Sequence, residues 1–328
     1  MSILVTGGAG YIGSHMVLAL LDRGEHVVVL DNLSTGIRER VPAPAKLVVG
    51  DAGDSATLGA LFQHDDIDAV IHFAGSIVVP ESVAKPLEYY RNNSAATRNL
   101  IAACVENGIR QFIFSSTAAV YGIPADVPVC ETAPTNPINP YGRSKLMSEW
   151  ILADTARAHD FRYAALRYFN VAGADPKGRS GQSTPRATHL IKRACQVAIG
   201  REERLEIFGT DFPTADGTGV RDYIHVSDLI DAHLLALDRL RADGVSLCAN
   251  AGYGRGFSVL EVIAAVERAA GHKLNVRRSA PRPGDPPTLV ADPGYLKSLG
   301  WQPKCDDLDT IVKSALAWER TLQLAGSR

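Results

Sequence analysis

Tyr141 and Lys145 stand four residues apart in the run Pro140-Tyr141-Gly142-Arg143-Ser144-Lys145. On a helix this spacing puts a phenol and an ammonium on one face. A free phenol has a pKa near 10, so only about one in a thousand is ionised at pH 7; to serve as a base it must fall by roughly 3 units, about 4 kcal/mol. A neighbouring ammonium favours the phenolate. A third polar group is Thr117, where Phe114-Ser115-Ser116-Thr117 closes an apolar run. Its hydroxyl can bond both a substrate hydroxyl and the Tyr141 oxygen. Each piece also has an ordinary reading. Tyr141 and Lys145 fit an amphipathic helix with a snorkelling lysine, and a hydroxyl-rich turn can satisfy its own backbone.

These groups lie downstream of a glycine cluster that changes their weight. Gly7-Gly8-Ala9-Gly10-Tyr11-Ile12-Gly13 joins an apolar run to a segment of helical pattern beginning near Ser14. Its GxxGxxG spacing is a variant of the dinucleotide fingerprint. Gly7 permits the tight turn, Gly10 lets a pyrophosphate approach the backbone, and Gly13 lets helix and sheet pack closely. Unpaired N–H groups at the helix start face the phosphates. Asp31 closes the second apolar run. A carboxylate there accepts from ribose hydroxyls and repels a 2′-phosphate, which favours NAD over NADP. The ordinary reading of Asp31 is the start of the turn Asp31-Asn32-Leu33. Asp51 is placed to accept from the adenine amino group, or is a loop aspartate. An oxidised nicotinamide beside Tyr141 adds its positive ring to Lys145 in favouring the phenolate.

The scaffold for these groups is legible in the hydrophobic pattern. Residues 3–6, 26–30, 46–49, 69–73, 111–115 and 163–167 are apolar runs too short for buried helices. Residues 14–23, 95–107 and 141–158 carry helical patterns between them. Strands alternating with helices imply parallel pairing with right-handed crossovers, and apolar strands imply helices on both faces. The expected fold is α/β: a Rossmann-type doubly wound parallel sheet, with ligand at the carboxyl ends of the strands, and a second, smaller substrate-binding domain. After Phe169, residues 172–186 read as a long loop, 188–200 and 226–241 as helices, and 246–251 as a strand. Residues 258–270 read as a helix with Ser258 as N-cap, and the prolines from Pro281 to Pro287 as an extended loop. Residues 1–169 then form the NAD-binding domain, with 226–250 returning to it, while 170–225 and 251–328 form the second domain.

Composition excludes several classes. The 328 residues suit two domains or one large one. With 34 basic and 36 acidic residues and no basic stripe, nucleic acid is not an expected partner. Cys104, Cys130, Cys195, Cys248 and Cys305 are scattered, without a CxxC pair, and fit free thiols in a reducing cytoplasm. No targeting pattern opens the chain and no apolar run is long enough to span a bilayer. A cytoplasmic protein without membrane partners is expected. The nine histidines make no metal pattern, so no metal is expected; His72 reads as a core histidine and His15 as structural.

From Ile3 to about Trp318 the chain resembles the extended short-chain dehydrogenases/reductases, and among them the UDP-glucose 4-epimerases. The resemblance is carried by Val5-Thr6-Gly7-Gly8-Ala9-Gly10-Tyr11-Ile12-Gly13-Ser14-His15, Asp31-Asn32-Leu33-Ser34, Val70-Ile71-His72-Phe73-Ala74-Gly75 and Lys85-Pro86-Leu87-Glu88-Tyr89-Tyr90. Residues 136–145, Leu166-Arg167-Tyr168-Phe169-Asn170 and, most specifically, Asp216-Gly217-Thr218-Gly219-Val220-Arg221-Asp222-Tyr223-Ile224-His225-Val226 extend it. It implies NAD held by Gly7, Gly10, Tyr11, Ile12, Gly13, Asp31, Asn32, Asp51, Ala52, Phe73, Ala74, Gly75, Asn93, Ser115, Tyr141, Lys145 and Tyr168. It implies that Tyr141 takes the proton of a hexose C4 hydroxyl and that the C4 hydride passes to retained NAD. The 4-keto sugar then swings about its diphosphate and presents its other face, to which the same hydride returns while Tyr141 gives back the proton. Thr117 orients the hydroxyl, while Lys145 holds the nicotinamide ribose and tunes Tyr141. Asn170, Arg221, Arg282 and Asp285 are implied to hold UDP, the guanidiniums forking to diphosphate oxygens, with Phe208 against the uracil. A homodimer is implied through the helix bearing Tyr141 and residues 95–107. Arg221 has an ordinary alternative as an exposed salt bridge with Asp222.

Three positions depart from the family pattern. Ile77 stands where many members carry a lysine near the cofactor, which leaves Lys145 and NAD to tune Tyr141. His189-Leu190 stands where Asn-Leu is usual beside the diphosphate. Leu289 replaces a large tyrosine near the sugar C2, so N-acetylated UDP-hexoses are expected to react too. Among rival readings, related dehydratases carry Asp-Glu after the threonine; Ala118 and Ala119 here argue against elimination of water. A nucleotide-sugar reductase, or an epimerase of UDP-pentoses or uronates, is the enzymatic alternative. A reductase would consume reduced cofactor stoichiometrically. A non-catalytic NAD-sensing protein on this fold has no need of Tyr141, Lys145 and the substrate arginines together.

Overall fold

The computed structural model describes residues 1–184, 187–281 and 285–326. Its strands are β1 (Ser2–Thr6), β2 (His26–Asp31), β3 (Lys46–Val49), β4 (Ile67–His72), β5 (Gln111–Thr117), β6 (Arg162–Tyr168) and β7 (Asn170–Ala172). β8 (Leu205–Phe208), β9 (Val220–His225), β10 (Leu247–Ala251), β11 (Gly256–Ser258), β12 (Val276–Ser279) and β13 (Thr288–Leu289) follow. The chain divides into two compact units, the first comprising Met1–Gly122, Pro134–Arg167 and Ala232–Ala249, the second Ile123–Ala133, Tyr168–Asp231 and Asn250–Arg328.

The first unit is built on a seven-stranded sheet in the order β10-β6-β5-β4-β1-β2-β3. β1 pairs in parallel with β2 on one side and β4 on the other. The chain therefore builds outward from β1 to β3, then crosses back to β4, and that reversal is the switch point at which such sheets bind ligands. Helices cover both faces, so the strands are apolar along their length: Leu4, Val5, Val29, Ile71, Phe112 and Ile113 are all buried. One face packs Leu4, Val28, Val70 and Phe112 against Leu58, Leu100 and Phe161.

Several elements are longer than their apolar runs. β5 continues through Ser116 and Thr117, because strand pairing satisfies backbone groups whatever the side chain. The first helix starts at Tyr11, directly on Gly10. The helix expected over 95–107 spans Ala96–Glu106 and follows a π-helical stretch, Tyr90–Ala95. His72 is a satisfied core histidine, as expected. Its Nδ1 lies 2.6 Å from the Thr6 hydroxyl and its Nε2 2.8 Å from the Thr97 hydroxyl. Burial holds its pKa down to about 3, so the ring is neutral. His15 Nδ1 lies 2.7 Å from the Tyr11 carbonyl oxygen.

In the second unit β9 pairs in parallel with β7 and β13 and antiparallel with β11, and β8 pairs in parallel with β12. Ser258 caps the helix Val259–Ala270 in a full capping box with Glu261. Two segments fall in this unit and not in the first. Residues 123–133 do so because the Val129 N–H donates to the Val290 carbonyl at 2.8 Å and the Asn250 N–H donates to Glu131 at 2.8 Å. Residues 226–231 do so because Asp228 accepts from the Tyr253 hydroxyl at 2.6 Å and the Cys305 N–H at 2.8 Å. Among the described residues no helix is long and apolar enough to cross a membrane.

Candidate active site

The turn after β1 is shaped by what a Cβ would meet. Gly7 has φ +70°, in the left-handed region, and a Cβ there would lie 2.7 Å from the Ala74 nitrogen. Glycine therefore permits both the turn and the close approach of the segment Phe73-Ala74-Gly75 after β4. At Gly13 a Cβ would lie 2.2 Å from the Gly7 carbonyl oxygen, so helix and turn touch. At Gly10 a Cβ would lie 3.2 Å from that same oxygen, a tight approach that glycine avoids. The helix Tyr11–Asp22 has no side-chain cap, and its first N–H groups are suited to an anion. The buried Asp31 carboxylate accepts from the Ala9 N–H at 3.0 Å and the Leu33 N–H at 2.8 Å. A carboxylate has about four lone-pair sites, so capacity for ribose hydroxyls remains. This cradle, open helix end and fixed carboxylate fit a dinucleotide. Asn32 accepts from the Ser34 N–H at 3.0 Å, Tyr11 and Ala52 are buried, and Ile12 is half-buried. Asp51 is exposed and accepts from the Gly53 N–H at 2.7 Å. The Phe73 ring lies 5.0 Å from that of His233.

At the end of β5 the helix Pro140–Ala158 brings in the chemistry. Asn139 caps it by accepting from the Gly142 N–H at 2.9 Å, and Pro140 occupies the first turn. Tyr141 is hydrogen-bonded to Thr117, whose hydroxyl also accepts from the Ala119 N–H at 3.1 Å. Lys145, 3% exposed, donates from Nζ to the Ser115 carbonyl at 2.9 Å and lies 4.8 Å over the Phe114 ring. A Cβ on Gly75 would lie 3.0 Å from Asn93 Oδ1 and 3.7 Å from Lys145 Nζ. Asn93 donates to the Ser76 carbonyl and the Ser144 hydroxyl, both at 3.0 Å. Gly75, Asn93, Ser115, Thr117, Tyr141 and Lys145 are thus one cluster.

The electrostatics differ from the simple pairing of Tyr141 with an ammonium. Burial pushes the Tyr141 phenol above 10, and the Thr117 hydrogen bond is what opposes it. Burial pushes Lys145 down to about 8, against the pull of Glu149. One lysine proton is directed at the Ser115 carbonyl, and positive charge placed beside the Tyr141 ring would favour its phenolate. Sequence reasoning missed Glu149, Ser116 and Arg167, a buried group one turn beyond Lys145. The signal was the spacing of 141, 145 and 149, but a glutamate on a helix reads first as solvated.

The second unit carries the residues assigned to the nucleotide. Asn170 is the register partner of Tyr223, and Leu289 that of Arg221. Arg221 donates to the Val220 carbonyl at 2.9 Å; burial lowers its pKa while Asp285 opposes the fall. It makes no exposed bridge with Asp222, because neighbours in a strand face opposite ways. Asp222 is fully buried and accepts from the N–H groups of Tyr253, Gly254 and Ala291 at 3.0, 2.9 and 3.2 Å. Burial pushes its carboxyl up to about 6. His189 directly precedes the helix beginning at Leu190 and is lowered by burial. Phe208 closes β8 and Tyr168 closes β6, and Ile77 is exposed. Arg282 lies outside the described residues.

A sheet reversing at β1, a glycine cradle, and a buried Thr–Tyr–Lys cluster define a nucleotide-cofactor enzyme acting on a hydroxyl-bearing carbon. Residues 3–252 match the NAD dependent epimerase/dehydratase family, and the chain belongs to it. It is 58% identical to the UDP-glucose 4-epimerase of Azospirillum brasilense, covering 98% of this chain and 92% of that one. The crystal structure of the UDP-glucose 4-epimerase from Brucella ovis in complex with NAD is 46% identical, with TM-score 0.93 over 96% of this chain and 97% of that one. The UDP-Glc/GlcNAc 4-epimerase of Campylobacter jejuni is 48% identical, with TM-score 0.85 over 98% and 99%.

Proposed function

We propose that this protein interconverts UDP-glucose and UDP-galactose, inverting the C4 hydroxyl through a 4-keto sugar with NAD retained. The observation that carries the reading is the buried Thr117–Tyr141 hydrogen bond beside Lys145, in a chain 58% identical to a UDP-glucose 4-epimerase. Tyr141 Oη takes the C4 hydroxyl proton and returns it to the C4 oxygen once the keto sugar has presented its opposite face. Thr117 orients that hydroxyl, and Lys145 holds the nicotinamide ribose. Bound NAD supplies a hydride acceptor that gives the same hydride back, and a positive ring that favours the Tyr141 phenolate. Gly7, Gly10 and Gly13 seat its pyrophosphate and Asp31 its ribose. Asn170, Arg221, Arg282 and Asp285 hold UDP, with Phe208 against the base and His189 and Leu190 near the diphosphate. Ala118 is buried and, with Ala119, leaves no carboxyl pair after Thr117 for dehydration.

A broader substrate range is supported by Leu289, a buried residue paired with Arg221. Leucine leaves space beside the sugar C2, and a relative 48% identical is a UDP-Glc/GlcNAc 4-epimerase. We infer a homodimer in which the Tyr141 helix and its neighbour over 95–107 pack against their copies, since Met147 and Trp150 of the Tyr141 helix are exposed. Five free thiols support a cytoplasmic setting.

The test is to mix purified protein with UDP-galactose, add no NAD, and follow the anomeric proton by NMR. A growing UDP-glucose signal is expected. No conversion, or conversion only with stoichiometric reduced cofactor, would overturn the reading.

A further inference from the structure

Three consecutive residues at the end of β5 hold one face of the helix Pro140–Ala158 at three successive turns. Thr117 bonds Tyr141, the Ser115 carbonyl accepts from Lys145, and the Ser116 hydroxyl donates to Glu149. Residues 141, 145 and 149 share that face by their spacing. The first two belong to the proposed chemistry; the third has no part in it.

Glu149 is buried and densely bound. Arg167 of β6 donates Nε to Oε1 at 3.0 Å and Nη2 to Oε2 at 2.6 Å. Its Nη1 donates to the Tyr121 hydroxyl at 3.0 Å, in the turn Ala118–Tyr121 directly after Thr117. A buried ion pair is seldom worth more to stability than apolar residues of the same volume. Fold stability is thus a weak reason for a carboxylate here. Its position beneath Lys145, tethered to the strand that presents Thr117, is a better one.

We propose that Glu149 is a positioning residue for the reaction read above, fixing the register of the Tyr141 helix through Ser116 and keeping Lys145 protonated. The inference rests on that reading of Tyr141 and Lys145. The groups that face Lys145 leave the electrostatic task to Glu149. From β4 comes His72, which burial keeps neutral. From β5 comes the Ser115 carbonyl, and from the stretch Tyr90–Ala95 comes the uncharged Asn93 beside Gly75. On its own helix stand Tyr141, whose phenol burial keeps protonated, and Glu149. The Coulombic pull of Glu149 opposes the fall of Lys145. Arg167 offsets part of that charge from the far side of the carboxylate.

The experiment uses holoprotein labelled with ¹³Cε-lysine and three variants: Glu149→Gln, Glu149→Gln with Arg167→Met, and Ser116→Ala. The paired change removes both charges at once and keeps the test open if Glu149→Gln does not fold. The Lys145 midpoint should move to lower pH by roughly 1 unit in Glu149→Gln, by a smaller amount in the paired variant, which also removes the offsetting guanidinium, and stay in place in Ser116→Ala. The alkaline limb of kcat should follow it, while KM for UDP-galactose stays within about twofold. Ser116→Ala should lower kcat without moving the limb. An unmoved Lys145 midpoint after removal of the carboxylate overturns the proposal, as does an unchanged kcat in Ser116→Ala. The lysine titration is read without turnover, so an inactive parent refutes the reaction assignment and leaves this test standing.

Discussion

The space a side chain would occupy at Gly142 is filled by the Ala119 carbonyl oxygen, which would lie 2.6 Å from a Cβ there. The helix that carries Tyr141 therefore sits directly on the turn that follows Thr117, and the contact between the two hydroxyls depends on a missing methyl group. Gly142→Ala favours the helix by up to about 1 kcal/mol by propensity, yet it must push the helix start away from Ala119. A displacement near 1 Å at reacting groups costs about 10²-fold. Steady-state kinetics should show kcat reduced by about that factor, with KM for UDP-galactose little changed. Parent-like turnover would mean that the approach does not position Tyr141.

Tyr141→Phe removes the proton carrier and leaves the ring in place. Loss of a positioned acid–base group costs typically 10²- to 10⁴-fold, and kcat should fall within about that range. The phenol is buried with Thr117 as partner, so its loss should cost about 1–3 kcal/mol of stability, a fall of the melting temperature far too small to unfold the protein at assay temperature. The pair of measurements separates chemistry from folding.

His72 makes acid stability a sharp readout. Its pKa is about 3 in the folded protein against 6.5 for the free side chain. Below 6.5 the unfolded chain takes up a proton that the folded chain refuses, so stability falls as pH drops from 6.5 towards 3 and is fully present above that window. The full effect is about 5 kcal/mol. His72→Gln should flatten the dependence of urea unfolding free energy on pH between 6.5 and 4. An unchanged slope would show that the ring takes up its proton as readily in the fold as in the unfolded chain.

Leu289→Tyr should narrow the substrate range. Added bulk beside the sugar C2 clashes with an N-acetyl group and spares a hydroxyl, worth about 1–3 kcal/mol, or 10- to 200-fold, in relative kcat/KM. Competition between UDP-N-acetylglucosamine and UDP-glucose, followed by NMR, measures it. Equal losses for both sugars would place Leu289 outside the C2 region.

The features legible before folding were local. Gly7, Gly10 and Gly13 act through their own turn, and Asn139, Pro140 and Ser258 through the first turn of a helix, so a few neighbouring residues state the whole condition. The alternation of apolar runs and helical patterns was enough for the doubly wound sheet, because burial on both faces leaves no polar alternation to confuse it. Residues 123–133 were read with the first domain because nothing near them reveals that Val129 pairs with Val290. The ordinary alternative for Arg221, a bridge to Asp222, was open in the sequence for a related reason. Adjacent charges look like partners in a string, but a strand sends them to opposite faces.

By itself the chain of residues determined which chemical groups are available and in what local geometry: a glycine turn for a dinucleotide, an acid to close β2, a phenol and an ammonium on one helical face. Only the tertiary structure decided their charge. Whether Tyr141 holds its proton, whether Lys145 keeps one and whether Glu149 is a solvated ornament or a buried tether depend on exclusion of water and on partners dozens of residues away. Desolvation acts through distance in space, and no spacing along the chain encodes it.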